Sequence, residues 1–342
     1  MNKRNMIPES NGLYRVNMKE KISKAGLLKR ISFVIIAIFL IGFIFQTVSN
    51  FIGNERVSSS LRYAKVNNDK MEYKYSGSGD YTVVFDGAIG TNLYQWDDIC
   101  KKLNESGVKT FVYNRNGYGF NSYADGKTIE NQAEDLKILL RKAGASGKLI
   151  LVGEEYGSLV STCFANKYPE NVAAMFLIKP LDENTIKSKE FKKDIKWTYL
   201  KSKIEALGTM FGLTTLLDSF DATYSIDVFE KSLKDYEKDE FEVKKNRKEY
   251  RQAISSELGN LYNYNYSFQK DGLLSEKPLY IISNKKNDSL ISLSNSKYIT
   301  VYKTESKEKI ISVTDKDAVI NGISNILRDL KKINKLIFFI IL

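Results

Sequence analysis

Residues 148–161, KLILVGEEYGSLVS, constrain this chain more than any other stretch. The run from Lys148 to Val152 has the length and apolar character of a strand buried on both faces. Gly153 and Gly157 bracket three residues, and an apolar-periodic stretch from Ser158 to Tyr168 follows before Pro169 ends it. A strand that turns this sharply into a helix, with glycines on either side, projects its middle residue above the edge of a sheet. That residue is Glu155. The chain contains no histidine.

The same reading places strands at residues 73–75, 81–85, 110–113, 173–178, 278–282 and 298–302, and helices at 96–103, 128–143, 158–168 and 318–330. Strands alternating with helices at this spacing predict an α/β class, with a parallel twisted sheet covered by helices on both faces. The region 181–275 is rich in Lys, Glu and Tyr and reads as mostly helical. Within it Leu200, Ile204, Leu207 and Phe211 form a stripe expected to pack on the sheet, with a lipid- or acyl-lined groove as the second reading. Tyr262, Tyr264 and Tyr266 alternate, as in an extended piece or pocket rim, and are expected first to pack in the core or at the surface.

Several motifs, in register, resemble the α/β-hydrolase family over roughly residues 73–332. Asp86-Gly87 stands where that family carries His-Gly, and Trp96 stands where a tryptophan opens the first helix. Asn114-Arg115-Asn116-Gly117-Tyr118-Gly119 is similar to its Asp-Arg-x-Gly-x-Gly turn, with asparagine for aspartate. Gly153-Glu154-Glu155-Tyr156-Gly157 matches the nucleophile elbow G-x-S-x-G, and residues 168–172, YPENV, resemble the lead-in to the next strand. The resemblance implies an α/β-hydrolase fold with residues 181–275 as a helical cap. It also implies an acid at Asp288, a base near Glu308 or Lys309, and oxyanion-binding amides at Ala88 and Tyr156. Such a family likeness bears on fold and not on activity.

Acyl transfer on this fold needs a nucleophile, a base and two amides for the oxyanion. Glu155 replaces the serine, and no histidine stands in for the base; a lysine at Lys309, with a reference pKa of about 10.4, is a poor base at neutral pH. Some relatives use an aspartate as nucleophile, and Glu155 is one methylene longer. The alternative is that its carboxylate folds back onto the amides at the helix start and plugs the former site. Ser158 and Ser161 lie within the helix and not on the elbow. Asp86, Arg115, Glu154 and Glu155 are the candidate binding residues. The three acids invite a cation such as calcium, but no ligand spacing supports one. Glu154 is expected to face solvent or to pair with Arg115 or a lysine. No metal or cofactor is predicted.

The net charge is +11. Residues 1–30 hold eight basic against two acidic residues, and the remainder is a mixed-charge body, so nucleic acid is not an expected partner. Residues 31–52 are uncharged and long enough to cross a bilayer, which needs roughly 20 residues. With the basic flank, they predict a single-pass anchor whose N-terminus is cytoplasmic and whose body lies outside. Cys100 and Cys163 are expected as buried thiols. The predicted organisation is a basic N-terminus (1–30), a transmembrane anchor (31–52) and a linker (53–72). A hydrolase-fold core (73–180 and 276–335), a cap (181–275) and an apolar tail (336–342) follow.

The functional expectation is a membrane-anchored protein of hydrolase fold without triad catalysis. It would bind a small apolar or acyl ligand, or an envelope protein. Two alternatives stand beside it: an active hydrolase of esters, amides or peptides using Glu155, and an assembly or structural factor of the cell envelope.

Overall fold

The computed structural model describes residues 23–59, 61–145, 147–284 and 288–341. Most of the basic N-terminal segment therefore lies outside the described residues, as do the side chains of Asp288 and of the tail from 336 onward. The strands are β1 (Arg62–Val66), β2 (Asp69–Ser76), β3 (Tyr81–Asp86), β4 (Lys109–Tyr113), β5 (Lys148–Glu154), β6 (Val172–Ile178), β7 (Leu279–Ser283) and β8 (Ile299–Lys303). They form one sheet in the order β1-β2-β4-β3-β5-β6-β7-β8. β2 runs antiparallel to both β1 and β4, and the other neighbours pair in parallel.

β1 and the first half of β2 lie in the stretch expected to be a linker. They form a hairpin whose two-residue turn is Asn67-Asn68, with φ of 49° and 72°. Asparagine tolerates that left-handed geometry, and such a turn matches the twist of paired strands. The sequence reading missed the hairpin because strand residues such as Arg62, Lys65 and Lys70 are polar on an exposed edge.

The helices are α1 (Lys24–Arg56), α2 (Asp97–Glu105), α3 (Ile129–Lys142) and α4 (Tyr156–Lys167); α5 (Glu183–Lys187), α6 (Lys189–Gly208), α7 (Leu213–Asp218), α8 (Asp227–Glu230), α9 (Asp235–Lys244) and α10 (Lys248–Tyr262) follow between β6 and β7; α11 (Asp288–Ile291), α12 (Ile311–Thr314) and α13 (Lys316–Ile341) complete the set. The pairs α2–α13 and α3–α4 pack together over the sheet. Covered on both faces, β5 and β6 are buried almost throughout, which explains why they read as continuous apolar runs. Cys100 and Cys163 are buried free thiols, and burial pushes each up to about 12.

The apolar stripe of α6 does not pack on the sheet as expected. Leu200, Ile204, Leu207 and Phe211 are all exposed, because α6 turns its other side to α10. There Tyr199 stacks on Tyr262 at 5.2 Å. Tyr264 is buried and donates to Glu183 Oε1 at 2.6 Å.

Candidate functional site

The carboxyl ends of β3 and β5 meet where the sheet hands over to α4. Gly153 and Gly157 are required there by space: a Cβ on Gly157 would collide with the carbonyl oxygen of Asp86, and one on Gly153 would lie 2.6 Å from that of Gly157. Between them Glu155 takes φ 51° and ψ −113°. For a residue with a side chain this conformation costs about 1–3 kcal/mol, so the surrounding packing must hold it. The elbow's backbone geometry is thus intact without its usual residue.

The Glu155 carboxylate does fold back. Its Oε2 accepts from the amide of Tyr156 at 2.8 Å and from that of Ile89 at 3.1 Å. The second amide is Ile89 and not Ala88, as the sequence reading had it. Arg115 explains the difference. Its guanidinium donates to the carbonyls of Gly87 (2.8 Å) and Ala88 (3.0 Å). A peptide unit points its C=O and N–H in opposite directions, so holding the Ala88 carbonyl turns the Ile89 amide toward Glu155. The Ala88 amide faces Gln95 Oε1 at 3.4 Å.

Arg115 is itself buried and paired twice. It meets Asp86 Oδ1, and its Nε and Nη2 donate to Glu257 Oε1 and Oε2 at 2.7 and 3.0 Å. Asp86 also accepts from Tyr113 Oη at 2.5 Å, and Glu257 from Tyr118 Oη at 2.7 Å. Burial pushes the Glu257 carboxyl up, against the pull of Arg115. Glu257 lies on α10, so this cluster ties the helical insertion between β6 and β7, where a cap was expected, to the end of β3. Nothing local in the sequence around Glu257 marks it, and its role shows only once the cap is seated.

Glu154 faces neither solvent nor Arg115. It is fully buried and accepts from Gln95 Nε2 (2.6 Å), from the amides of Ile311 (2.5 Å) and Ser312 (3.2 Å), and from Ser312 Oγ. Burial pushes it up to about 7 despite those donors. The loop that carries the base in active relatives is therefore stitched down onto Glu154.

The remaining candidates fall as follows. Lys309 is exposed as a residue, but its Nζ is enclosed and donates to Tyr224 Oη at 2.5 Å. Burial opposes its charge, but Glu155 and Tyr224 outweigh that and hold its pKa above the ordinary lysine value. It is thus protonated and a poor base. Ser158 Oγ donates to the Glu155 carbonyl at 2.5 Å and accepts from the Leu181 amide at 3.0 Å, inside the helix. Asn114, where the family has aspartate, donates to the buried Glu72 carboxylate at 3.1 Å and accepts from the Leu93 amide at 2.9 Å. An aspartate there would set two carboxylates against each other. Asp86, Glu154 and Glu155 turn to three separate sets of donors, and among the described residues no group of three or more His, Cys, Asp or Glu is placed to hold a metal.

Beneath the cap, Tyr118, Tyr156 and Tyr250 are buried around Arg115 and the Gly90 backbone. Tyr118 Oη accepts from the Gly90 amide at 3.0 Å, and Tyr250 donates to its carbonyl at 2.7 Å. A groove of about 480 Å³ opens instead between α6, α10 and the 123–126 loop, lined by Tyr123, Tyr199, Lys203, Leu207, Asn260 and Tyr266 among others.

Comparison with known proteins agrees with this architecture. The uncharacterized protein YqjL of Bacillus subtilis (strain 168) is 28% identical over 106 residues, which make up 30% of this chain and 41% of YqjL. The Cif epoxide hydrolase from Acinetobacter nosocomialis superposes with a TM-score of 0.64 at 13% identity, covering 82% of this chain and 96% of that one. The enol-lactonase from Burkholderia xenovorans LB400 gives 0.57 at 15% identity, covering 78% of this chain and all of its own. At such identities these structures speak for the fold alone. The alpha/beta hydrolase fold family matches residues 81–299, more than half of the chain. Together with the elbow and the sheet order, this makes the chain a member of the alpha/beta hydrolase fold family.

Proposed function

We propose that this protein is a membrane-anchored member of the family that has given up triad catalysis and acts by binding. One observation carries the reading: the residue at the nucleophile's position is a carboxylate whose own oxygen occupies the Tyr156 amide of the elbow and the Ile89 amide of the loop after β3. An oxyanion cannot use donors that already serve a fixed anion. The absence of histidine from the sequence supports it, as does the protonated state of Lys309. For anchoring, α1 is long and apolar enough to cross a membrane by length and composition. The basic residues ahead of it favour a cytoplasmic N-terminus and an extracytoplasmic body. The ligand site consistent with this geometry is the tyrosine-rich groove beside α6 and α10, whose aromatic walls and amide groups suit a small amphiphilic molecule or a peptide segment of a partner.

The direct test is turnover of the purified full chain in detergent on short- and medium-chain activated esters and aminoacyl amides, beside Glu155→Ala. No turnover by either protein is expected. Hydrolysis by the wild type that disappears in Glu155→Ala would make Glu155 a nucleophile and overturn the reading.

A further inference from the structure

The outer face of the cap is apolar and points away from the protein. Ile204, Leu207, Met210, Leu213, Leu216 and Phe220 are all exposed there, Leu207 by 71% and Phe220 by 73%. Between Lys203 and Asp218 the only charge is Glu205. It is turned inward, accepting from Arg251 at 3.2 Å and from the Tyr224 amide. Asp218 likewise faces Thr223, Asn246 and Lys245. The tip therefore shows no charge to its surroundings over these residues. A contiguous apolar surface of this kind marks a contact site.

What covers it follows from how the tip meets α1. A Cβ on Gly42 would collide with the Phe211 carbonyl oxygen, so only glycine permits the approach. Phe39 packs edge-on against Phe211 at 4.8 Å, and Thr215 donates to Gln46 Oε1 at 2.9 Å. Farther along, Arg247 donates to Asn54 at 2.6 Å and Arg56 pairs with Asp239. Gly42 lies ten residues before Ile52, roughly 15 Å along the helix at 1.5 Å per residue, or about half of a hydrocarbon core of ~30 Å. If α1 lies in lipid over 31–52, the segment packed on Phe39 and Gly42 enters the lipid with it. Most of the tip is helical, over 204–211 and 213–218, which pairs many of its backbone groups internally. An apolar groove of about 580 Å³ lies between α1 and α7 and has the lining an acyl chain requires. Nearer the body, Trp197 is 74% exposed among Lys193, Lys196 and Lys201, the residue types that settle at the headgroup level.

We infer that residues 204–220 are embedded in the bilayer that α1 crosses, in the leaflet on the C-terminal side of α1. The inference rests on the reading of α1 as a membrane span. The 480 Å³ groove shares Lys203 and Leu207 with this face, so its mouth lies at the bilayer surface, where a ligand dissolved in the membrane enters sideways.

The test uses the full chain in vesicles containing brominated phosphatidylcholine. Pyrene is attached to one introduced cysteine at a time, both native cysteines being buried. Leu207→Cys and Leu216→Cys report on the tip, Phe33→Cys on the span, and the exposed Lys303→Cys on the aqueous side. Bromolipid is expected to quench the Phe33, Leu207 and Leu216 probes at least about twofold more than the Lys303 probe. Quenching at Phe33 without quenching at the tip overturns the inference and leaves the span standing. Pyrene excimer emission at Leu207 or Leu216 overturns it in favour of a second copy of the chain on this face. An unquenched Phe33 probe removes the span, and the inference with it.

Discussion

The elbow end of the sheet and the tip of the cap are opposites. Around Glu155 the polar side chains are buried and matched: Arg115 with Asp86 and Glu257, Glu154 with Gln95 and Ser312, Glu155 with two amides. At the tip, large apolar side chains are exposed and unmatched. The contrast teaches where selection for stability and selection for contact act on this chain. Substitutions at the elbow should cost stability, whereas substitutions at the tip should cost almost nothing in stability.

The largest effect is expected at Arg115. Arg115→Leu removes the cation that pairs with Asp86 and Glu257 and leaves both carboxylates buried. Breaking a buried pair in this way costs about 3–5 kcal/mol, and denaturant titration of the full chain in detergent reads it directly. A loss under about 1 kcal/mol would mean that the cluster is not a clamp between sheet and cap.

Glu154 gives a pH signature. Its folded pKa is raised to about 7 from 4.5 by burial. Below pH 4.5 both states hold the proton. Between 4.5 and 7 the folded state keeps a proton that the unfolded chain releases, so stability falls as pH rises, by up to about 3 kcal/mol, and levels off above 7. Glu240, pushed up to about 7 by its own burial, slopes the same way. The difference between wild type and Glu154→Gln therefore isolates Glu154: the variant should lose part of the slope. Equal slopes in the two proteins would show that Glu154 stays ionised in the fold.

These residues also show what the sequence could and could not reveal. Runs such as residues 149–152 and 173–178 are legible because strands covered on both faces must be apolar throughout. The elbow is legible because Gly153 and Gly157 answer a steric demand that no other residue meets. The fold-back of Glu155 follows from the amides at a helix start. The identity of the second amide does not, since it is fixed by Arg115 reaching carbonyls 27 and 28 residues away. Glu257 and the inward turn of Glu154 are equally non-local. The α6 stripe misled for a related reason. Periodicity shows that one face of a helix is apolar, but it does not say whether protein or another apolar phase covers that face.

At Glu155 the effect should be smaller. Glu155→Ala removes a carboxylate that caps α4 and bridges to Ile89, and loss of a cap costs about 0.5–2 kcal/mol. Part of this is retained by water taking over two amides near the surface. Thermal unfolding beside the wild type measures it. A gain in stability would mean that holding the carboxylate against the helix start costs more than its two hydrogen bonds return.

The smallest effect belongs to the tip. Ile204 and Leu207 are 58% and 71% exposed, and truncating an exposed side chain far from any special feature stays within about 0.5 kcal/mol. Ile204→Ala and Leu207→Ala should therefore unfold in detergent like the wild type. The same truncation at the fully buried Ile254 of α10 should cost about 2–5 kcal/mol. This pairing sharpens the comparison because the helices are neighbours and the chemistry of the change is the same. If the tip variants lost as much as Ile254→Ala, the apolar face would be part of the protein's own core, and the contrast with the elbow would disappear. If they lose nothing, the apolar character of residues 204–220 is not explained by folding, and a contact outside the chain remains as its physical cause.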